Sequence, residues 1–150
     1  MERLLTKFKT AATLVPQPVL RSAVHKTRLG VIYFGSTSPA MNEALDVLTA
    51  AGIHLDALRL RAFPFSEAVA LFIASHERVY VVEQNRDAQM HSLLVNELDV
   101  DPARMVRVLH FDGTPITARF ITAAITQHVH ALAVDPKNAT QRHTDSKEMA

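Results

Sequence analysis

Short apolar runs and segments with helical periodicity alternate along the chain. Apolar runs typical of buried strands cover residues 31–34 and 79–82, and further strands are predicted over residues 53–63 and 105–111. Between and after them, apolar residues recur every three or four positions, as on the buried face of a helix. The pattern therefore predicts four strand–helix units in succession.

Capping residues delimit the predicted helices. Ser38 before Pro39, and Thr114 before Pro115, each place a hydroxyl at an N-cap and a proline at the first helical position. The helix from Ser38 is expected to close at Gly52. The predicted helices cover residues 38–51, 66–76, 86–98 and the stretch from 114 onward.

Repeated strand–helix units restrict the fold. Their crossover connections are right-handed and place helices over a largely parallel sheet. Within residues 58–62, Leu58 and Leu60 alternate with Arg59 and Arg61, which predicts a strand with one exposed face, towards an edge of the sheet. The sequence thus predicts an α/β fold, a three-layer α/β/α sandwich with a mostly parallel sheet.

The chain divides into three parts. Residues 1–28 form a lead-in, in which a short amphipathic helix precedes Pro16 and Pro18, two residues that favour an extended path. We interpret the lead-in as a connector to an upstream region or to another chain. Residues 29–134 form the α/β domain. Residues 135–150 are polar and without periodicity, and they are expected to form a flexible tail.

Composition excludes several classes of function. The chain has no cysteine, so it cannot ligate an iron–sulfur cluster by thiolates or form a disulfide. Its net charge of +1, with acids and bases interspersed, does not predict binding to nucleic acid or to an anionic membrane. No apolar stretch has the length of a membrane span, and the apolar stretch at the N-terminus is shorter than that of a signal peptide. We expect a cytoplasmic protein.

A candidate anion site follows the first predicted strand. Backbone N–H groups and hydroxyls of Gly35, Ser36, Thr37 and Ser38 could hold a phosphate or a carboxylate at the start of the helix. The glycine and lysine spacing of nucleotide-binding loops is missing. The alternative is helix capping with a tight turn, which capping preferences alone favour.

A polar cluster follows the strand predicted over residues 79–82. It consists of Glu83, Asn85, Arg86, Asp87 and Gln89. Desolvation of a carboxylate at the end of a buried strand raises its proton affinity, so general acid–base chemistry is one interpretation. Arg86 argues against it, because a nearby guanidinium favours the ionised carboxylate. We favour a structural or interface role, in which Glu83 is tied to the following helix through backbone N–H groups or Arg86.

Other catalytic patterns are missing from the sequence. The eight histidines are scattered and lack the spacing of a zinc site. The nucleophile elbow of serine hydrolases is also missing. We therefore expect neither a metal site nor a catalytic residue in this chain.

Four segments resemble a known family in their order and spacing. They are residues 35–40 (GSTSPA), 58–65 (LRLRAFPF), 82–89 (VEQNRDAQ) and 110–118 (HFDGTPITA). Over about residues 9–126, the chain closely resembles the carboxyl-terminal domain of the alpha subunit of 2-oxoacid:acceptor oxidoreductases, especially the 2-oxoglutarate:ferredoxin type. It departs from the family pattern at Ala88, where the motif often has glycine.

The resemblance implies a transketolase C-terminal-like fold, whose mixed sheet has one antiparallel edge strand. It also implies an enzyme complex that oxidatively decarboxylates a 2-oxoacid, such as 2-oxoglutarate, to an acyl-CoA. Such a complex uses thiamine diphosphate, magnesium, coenzyme A and iron–sulfur clusters. In the family these groups lie on other domains or subunits, so none is expected in this chain, and no catalytic motif of the family maps onto it.

We therefore predict a non-catalytic domain or small subunit that serves domain packing and subunit contact. The expected partners are thiamine-binding domains or subunits. Ferredoxin is expected to interact only indirectly, through these partners, and a homodimer of this chain is an open alternative. Their contact surface is expected to include residues 85–89 and the lead-in. The alternative is a free-standing binding or regulatory module for a small anion, held by residues 35–38 or 83–89.

Overall fold

The computed structural model of the protein describes residues 2–134. The expected flexible tail, residues 135–150, lies outside the described residues. Within them, the strands are β1 (Val19–Arg21), β2 (Leu29–Phe34), β3 (Asp56–Leu60), β4 (Arg78–Glu83) and β5 (Met105–Leu109). The α-helices are α1 (Glu2–Leu14), α2 (Ser38–Ala50), α3 (Glu67–Ala74), α4 (Gln89–Leu98) and α5 (Ala118–Val134).

The strands form one mixed sheet in the order β1–β3–β2–β4–β5. The pairs β3–β2, β2–β4 and β4–β5 are parallel, and β1 runs antiparallel to β3 at the edge. Helices α2 and α5 pack on one face, and α3 and α4 pack on the other. The predicted α/β sandwich with one antiparallel edge strand is confirmed. None of the helices within residues 2–134 combines the length and apolar character of a membrane-spanning helix.

The lead-in supplies the antiparallel edge strand. β1 pairs with β3, so the strand predicted over residues 53–63 is not at the edge of the sheet, as its alternation had suggested. Alternation of apolar and polar residues indicates that one face of a strand is exposed, and it says nothing about the edges of the strand. Here Arg59 is exposed on one face although both edges of β3 are paired. The lead-in is also anchored by hydrogen bonds, since the Ala23 N–H donates to Asp56 Oδ1 at 2.7 Å and the Thr27 hydroxyl donates to the His54 carbonyl at 2.7 Å.

Two helices, α4 and α5, begin later than the sequence predicted, and α2 begins one residue earlier. In α2, Ser38 is the first helical residue and Thr37 is the N-cap, because Gly35, with a φ of +58°, opens a short 3₁₀ turn ahead of the helix. α5 begins at Ala118 because Thr117, not Thr114, accepts the Phe120 N–H at 3.2 Å. α4 begins at residue 89 instead of 86, for a reason given with the site below.

The central strands β2 and β4 form the core of the sheet. Val79, Tyr80, Val81 and Val82 are all 0% exposed, as the apolar run predicts. The Tyr80 hydroxyl lies 3.0 Å from His128 Nδ1, which joins β4 to α5. Burial raises the pKa of Tyr80 to about 12 and lowers the pKa of His128. Both groups are therefore uncharged at neutral pH, which suits this apolar interior.

A close approach of β2 and α3 requires glycine at position 30. A Cβ built on Gly30 would lie 2.9 Å from Phe72 Cε1 and 3.2 Å from His76 Cγ, and both rings are buried. These distances are too short for carbon–carbon contacts, so one of the rings would have to shift.

We expect Gly30→Ala to lower the free energy of unfolding by roughly 1–3 kcal/mol, the usual cost of overpacking. Urea unfolding followed by circular dichroism measures this change. The double variant Gly30→Ala/Phe72→Leu removes the ring edge and should recover part of the loss. A single variant as stable as the parent protein would show that the approach of strand and helix is not tight.

Candidate functional site

The loops that follow β2 and β4 meet at the carboxyl edge of the sheet. The two strands are hydrogen-bonded neighbours, but the chain proceeds from β2 to β3 on one side and from β4 to β5 on the other. Diverging connections leave a crevice at this point, which is where open α/β sheets bind ligands. The crevice has a volume of about 480 Å³. Its lining residues are Phe34, Gly35, Ser36, Thr37, Gln84, Asn85, Gln89, Met90 and Leu93.

Both groups of candidate residues contribute to this carboxyl-edge crevice. Gly35, Ser36 and Thr37 line it from the β2 loop, and Asn85 and Gln89 line it from the β4 loop. Two loops that the sequence suggests as separate sites therefore form one concave surface. The other candidates, Ser38, Glu83, Arg86 and Asp87, are not part of the lining.

The Glu83 carboxylate lies beneath the crevice with 0% exposure and binds the start of α4. Its Oε2 accepts from the Met90 N–H at 2.7 Å and from Asn85 Nδ2 at 2.8 Å, and its Oε1 accepts from the His91 N–H at 2.9 Å. Met90 and His91 are the second and third residues of the helix, whose N–H groups are those that an N-cap side chain normally binds. Glu83 therefore acts as a cap from a remote position in the chain.

The loop between Glu83 and α4 explains why this helix begins late. Ala88 is the residue before α4 and adopts the left-handed conformation, with a φ of 51° and a ψ of 47°. This conformation costs a residue with a Cβ about 1–2 kcal/mol. It also interrupts the helix before Gln89, whose N–H is accepted by Asn85 Oδ1 at 3.3 Å. The departure from glycine noted at Ala88 thus falls at the one strained residue of the loop.

The sequence predicted that Glu83 is tied to the following helix either by backbone N–H groups or by Arg86. The first alternative is confirmed, because the Met90 and His91 N–H groups donate to its carboxylate. The Arg86 alternative is wrong, because Arg86 Nε donates to Asp87 Oδ1 at 2.8 Å instead. Both side chains of that pair are largely exposed, at 75% and 57%. Such a surface pair contributes about 0–1 kcal/mol. All three hydrogen bonds that the Glu83 carboxylate accepts come from its own domain.

Gln84 connects three loops and is a site residue that the sequence did not single out within residues 83–89. Its Nε2 donates to Ser36 Oγ at 3.0 Å and to Thr37 Oγ1 at 3.2 Å, and its Oε1 accepts from the Ile116 N–H at 3.2 Å. The β2, β4 and β5 loops are therefore held together by one amide. The only sequence signal was its position in the polar run after β4, which gives no information about contacts 32 to 48 residues away.

The lining of the crevice is polar but uncharged. It offers hydroxyls from Ser36 and Thr37, amides from Gln84, Asn85 and Gln89, and apolar contact from the remaining residues. The Ser38 hydroxyl donates its hydrogen bond to the Gly35 carbonyl at 2.9 Å, so this hydrogen is not available to a ligand. Among residues 2–134, no group of three or more histidine, aspartate or glutamate side chains is placed to hold a metal ion. Chemically, this surface suits hydrogen bonding to neutral polar groups better than charge neutralisation.

The loop after β5 extends the same edge of the sheet. Asp112 accepts from the Thr114 N–H at 2.9 Å and from its hydroxyl at 2.7 Å, and the N–H bond above all lowers the pKa of Asp112. His110 is 7% exposed and lies 3.0 Å from the Thr114 carbonyl through Nε2. This compact turn presents Phe111, 62% exposed, on one side of the crevice, while Phe63, 43% exposed, follows β3 on the other.

Comparison with known proteins gives structural similarity without sequence matches. No protein-family model matches the chain, and no curated protein matches it in sequence. Among solved structures, the chain is similar to the 2-oxoglutarate:ferredoxin oxidoreductase of Magnetococcus marinus, with a TM-score of 0.69 and 21% identity. The match covers 79% of this chain and 21% of that one, so this chain spans about a fifth of that protein's length. That enzyme was solved with 2-oxoglutarate, coenzyme A and succinyl-CoA bound.

Two further structures are similar over comparable parts of the chain. One is the alpha chain of a probable 2-oxoacid ferredoxin oxidoreductase from Thermoplasma acidophilum, with a TM-score of 0.51, 22% identity, and coverage of 76% of this chain and 97% of that one. The other is a split-gene transketolase in an inactive β4 tetramer, with a TM-score of 0.57, 18% identity, and coverage of 74% and 40%. At these identities the similarity shows the fold alone, and it confirms the predicted transketolase-like α/β fold.

Proposed function

We propose that this chain is a non-catalytic domain or small subunit of a thiamine-diphosphate-dependent 2-oxoacid:ferredoxin oxidoreductase, and that it serves domain packing and subunit contact. The observation that carries the proposal is the burial and hydrogen bonding of the Glu83 carboxylate. It is the acidic residue at the end of the central strand, and its carboxylate is buried and bound by three donors of its own domain.

Thiamine catalysis requires several groups from the protein, and their presence or absence bears on the proposed non-catalytic role. The protein must supply a site for the diphosphate and its metal, an acidic partner for the aminopyrimidine, and an enclosed pocket. The carboxyl-edge crevice is open and uncharged, and Glu83 is turned away from it into the start of α4. We therefore propose that thiamine diphosphate, magnesium, coenzyme A and iron–sulfur clusters are all bound by partner domains or subunits of a cytoplasmic complex, and that ferredoxin is reached through them.

The carboxyl edge has the features of a contact surface. Exposed Phe63 and Phe111 lie on either side of an uncharged polar crevice, and aromatic side chains with few charges are typical of interface centres. Gln84 bonds to the loops after β2 and β5, which supports a surface that is preorganised before it meets a partner. A second groove of about 580 Å³ lies between the lead-in and the start of α3, lined by Ala12, Thr13, Gln17, Ser66, Glu67 and Ala68. Both surfaces agree with a partner that contacts residues 85–89 and the lead-in.

A second candidate function is a free-standing module that binds a small ligand in the crevice. The position of the crevice at the point where the sheet connections diverge favours it. The lack of a charged residue in its lining argues against an anion there. Ligand binding by the pure chain distinguishes this candidate from the accessory domain.

The isolated chain should bind no thiamine diphosphate. Calorimetric titration of thiamine diphosphate with magnesium into the pure protein should give no saturable heat at millimolar cofactor, since the diphosphate–metal site belongs to partners in this proposal. Saturable heat, or release of carbon dioxide from 2-oxoglutarate by the chain alone, would contradict the proposal.

Contact through the carboxyl edge is tested with two matched variants of α4. Gln89→Arg and Asn96→Arg each replace an exposed amide by a guanidinium, at the crevice end and at the opposite end of the same helix. In a complex reconstituted with the thiamine-domain subunits of the same genome, Gln89→Arg should weaken association at least about tenfold, or about 1.4 kcal/mol. Asn96→Arg should leave the affinity unchanged.

Association is measured by calorimetry or surface plasmon resonance, with circular dichroism to confirm that both variants fold. Equal affinities for the two variants would show that the partner binds elsewhere on the domain. Failure of the parent chain to bind the thiamine-domain subunits at all would contradict the accessory role itself.

A further inference from the structure

A row of side chains crosses the sheet on the face covered by α2. Val19 of β1 pairs with Arg59 of β3, and Arg59 pairs with Tyr33 of β2. Directly opposed residues of neighbouring strands project to the same face of a sheet. Tyr33 packs in the core cluster that includes Met41 and the other buried residues of α2, which identifies that face. Arg59 and Tyr33 are therefore side-by-side neighbours.

Tyr33 is a buried tyrosine whose hydroxyl has no hydrogen-bond partner in the part of the chain that the structure describes. Its side chain is almost fully enclosed, with 6% exposure of the residue. The buried side-chain atoms without a partner are His54 Nδ1 and Ser66 Oγ, so the Tyr33 hydroxyl itself retains access to the surface. Buried tyrosines normally bond their hydroxyl, as Tyr80 does with His128. The Tyr33 hydroxyl is thus a donor at the surface that no group among residues 2–134 accepts.

Arg59 is an exposed guanidinium that forms none of the ion pairs found among residues 2–134. The neighbouring arginine, Arg21, differs, since it binds Asp46 at 2.8 Å. Both positive charges act on the tyrosine: burial raises the pKa of Tyr33, and Arg59 and then Arg21 partly offset that rise. The hydroxyl therefore lies in the field of two guanidiniums, of which one is neutralised within the fold.

We propose that Arg59 and the Tyr33 hydroxyl form a binding site for a free oxyanion, a phosphate or a carboxylate group. Both side chains offer donors, and an oxyanion offers only acceptors, so the chemistry is complementary. The planar guanidinium can bind two oxygens of such a group, and the hydroxyl can donate to one of them. Arg21 adds little to the binding of an anion, because its charge is balanced by Asp46.

The Tyr33–Arg59 site is separate from the carboxyl-edge crevice and from the proposed function. The residues suggested by sequence for an anion, 35–38, line a crevice without a charged side chain. Arg59 lies instead on β3, where the alternating pattern indicated only an exposed residue of a strand. Its recognition needed the strand register that places Arg59 beside Tyr33.

The site is tested on the full chain by nuclear magnetic resonance. Sodium phosphate is titrated at constant ionic strength, and the backbone amides are followed in ¹H–¹⁵N spectra. Saturable shifts are expected around Tyr33 and Arg59. Arg59→Gln should weaken the affinity at least about tenfold, because it removes the positive charge and the paired guanidinium donors. Tyr33→Phe should weaken it about threefold or more, as expected for one neutral hydrogen bond. Arg107→Gln, which alters an exposed strand arginine at the opposite edge of the sheet, should leave it unchanged.

A parallel titration with sodium acetate identifies the class of oxyanion. Saturable shifts at the same amides with either anion support the site, and the anion with the higher affinity identifies the group that it prefers. The proposal fails if neither anion gives saturable shifts there. It also fails if Arg107→Gln weakens binding as much as Arg59→Gln, because the interaction would then be non-specific attraction to surface charge.

Discussion

The carboxylate of Glu83 determines the arrangement of the carboxyl edge of the sheet. It takes three hydrogen bonds in a fully buried position, two of them from the first turn of α4. A buried donor that loses its acceptor costs about 1–3 kcal/mol, so the start of the helix depends on this one side chain. The positive end of the helix dipole also stabilises its negative charge. Glu83 thereby converts the end of a buried strand into a rigid wall of the crevice.

Different side chains hold the carboxyl edge of the sheet in place and form its exposed surface. Glu83 and Gln84 are adjacent in sequence, but the first faces inward and binds α4, while the second reaches outward and joins the loops after β2 and β5. The crevice itself is left with hydroxyls, amides and apolar groups, and the charged side chains of this edge, such as the Arg86–Asp87 pair, lie outside its lining. Such a surface is preorganised for contact and offers no free acid at the strand end.

The sequence predicted the sheet, its helices and a tie from Glu83 to the following helix, with the backbone N–H groups and Arg86 as alternatives, because periodicity and an acid after a buried strand are local signals. The helix starts were less predictable, since the left-handed Ala88 and the cap from Glu83 depend on contacts across the loop. The strand in the lead-in was missed because all three of its residues are exposed and carry no burial pattern. The contacts of Gln84, and the pairing of Arg59 with Tyr33, exist only in the folded sheet and have no sequence signature.

Replacement of Glu83 by its neutral isostere tests the central role of this carboxylate most directly. In Glu83→Gln, one acceptor oxygen becomes an NH₂ group that faces a backbone N–H, so we expect the free energy of unfolding in urea to fall by about 2–4 kcal/mol. Hydrogen exchange should show lost protection at Met90 and His91. The control Glu97→Gln, which alters an exposed acid of the same helix, should stay within about 0.5 kcal/mol of the parent protein. A Glu83→Gln variant with parental stability and protected amides would contradict the account.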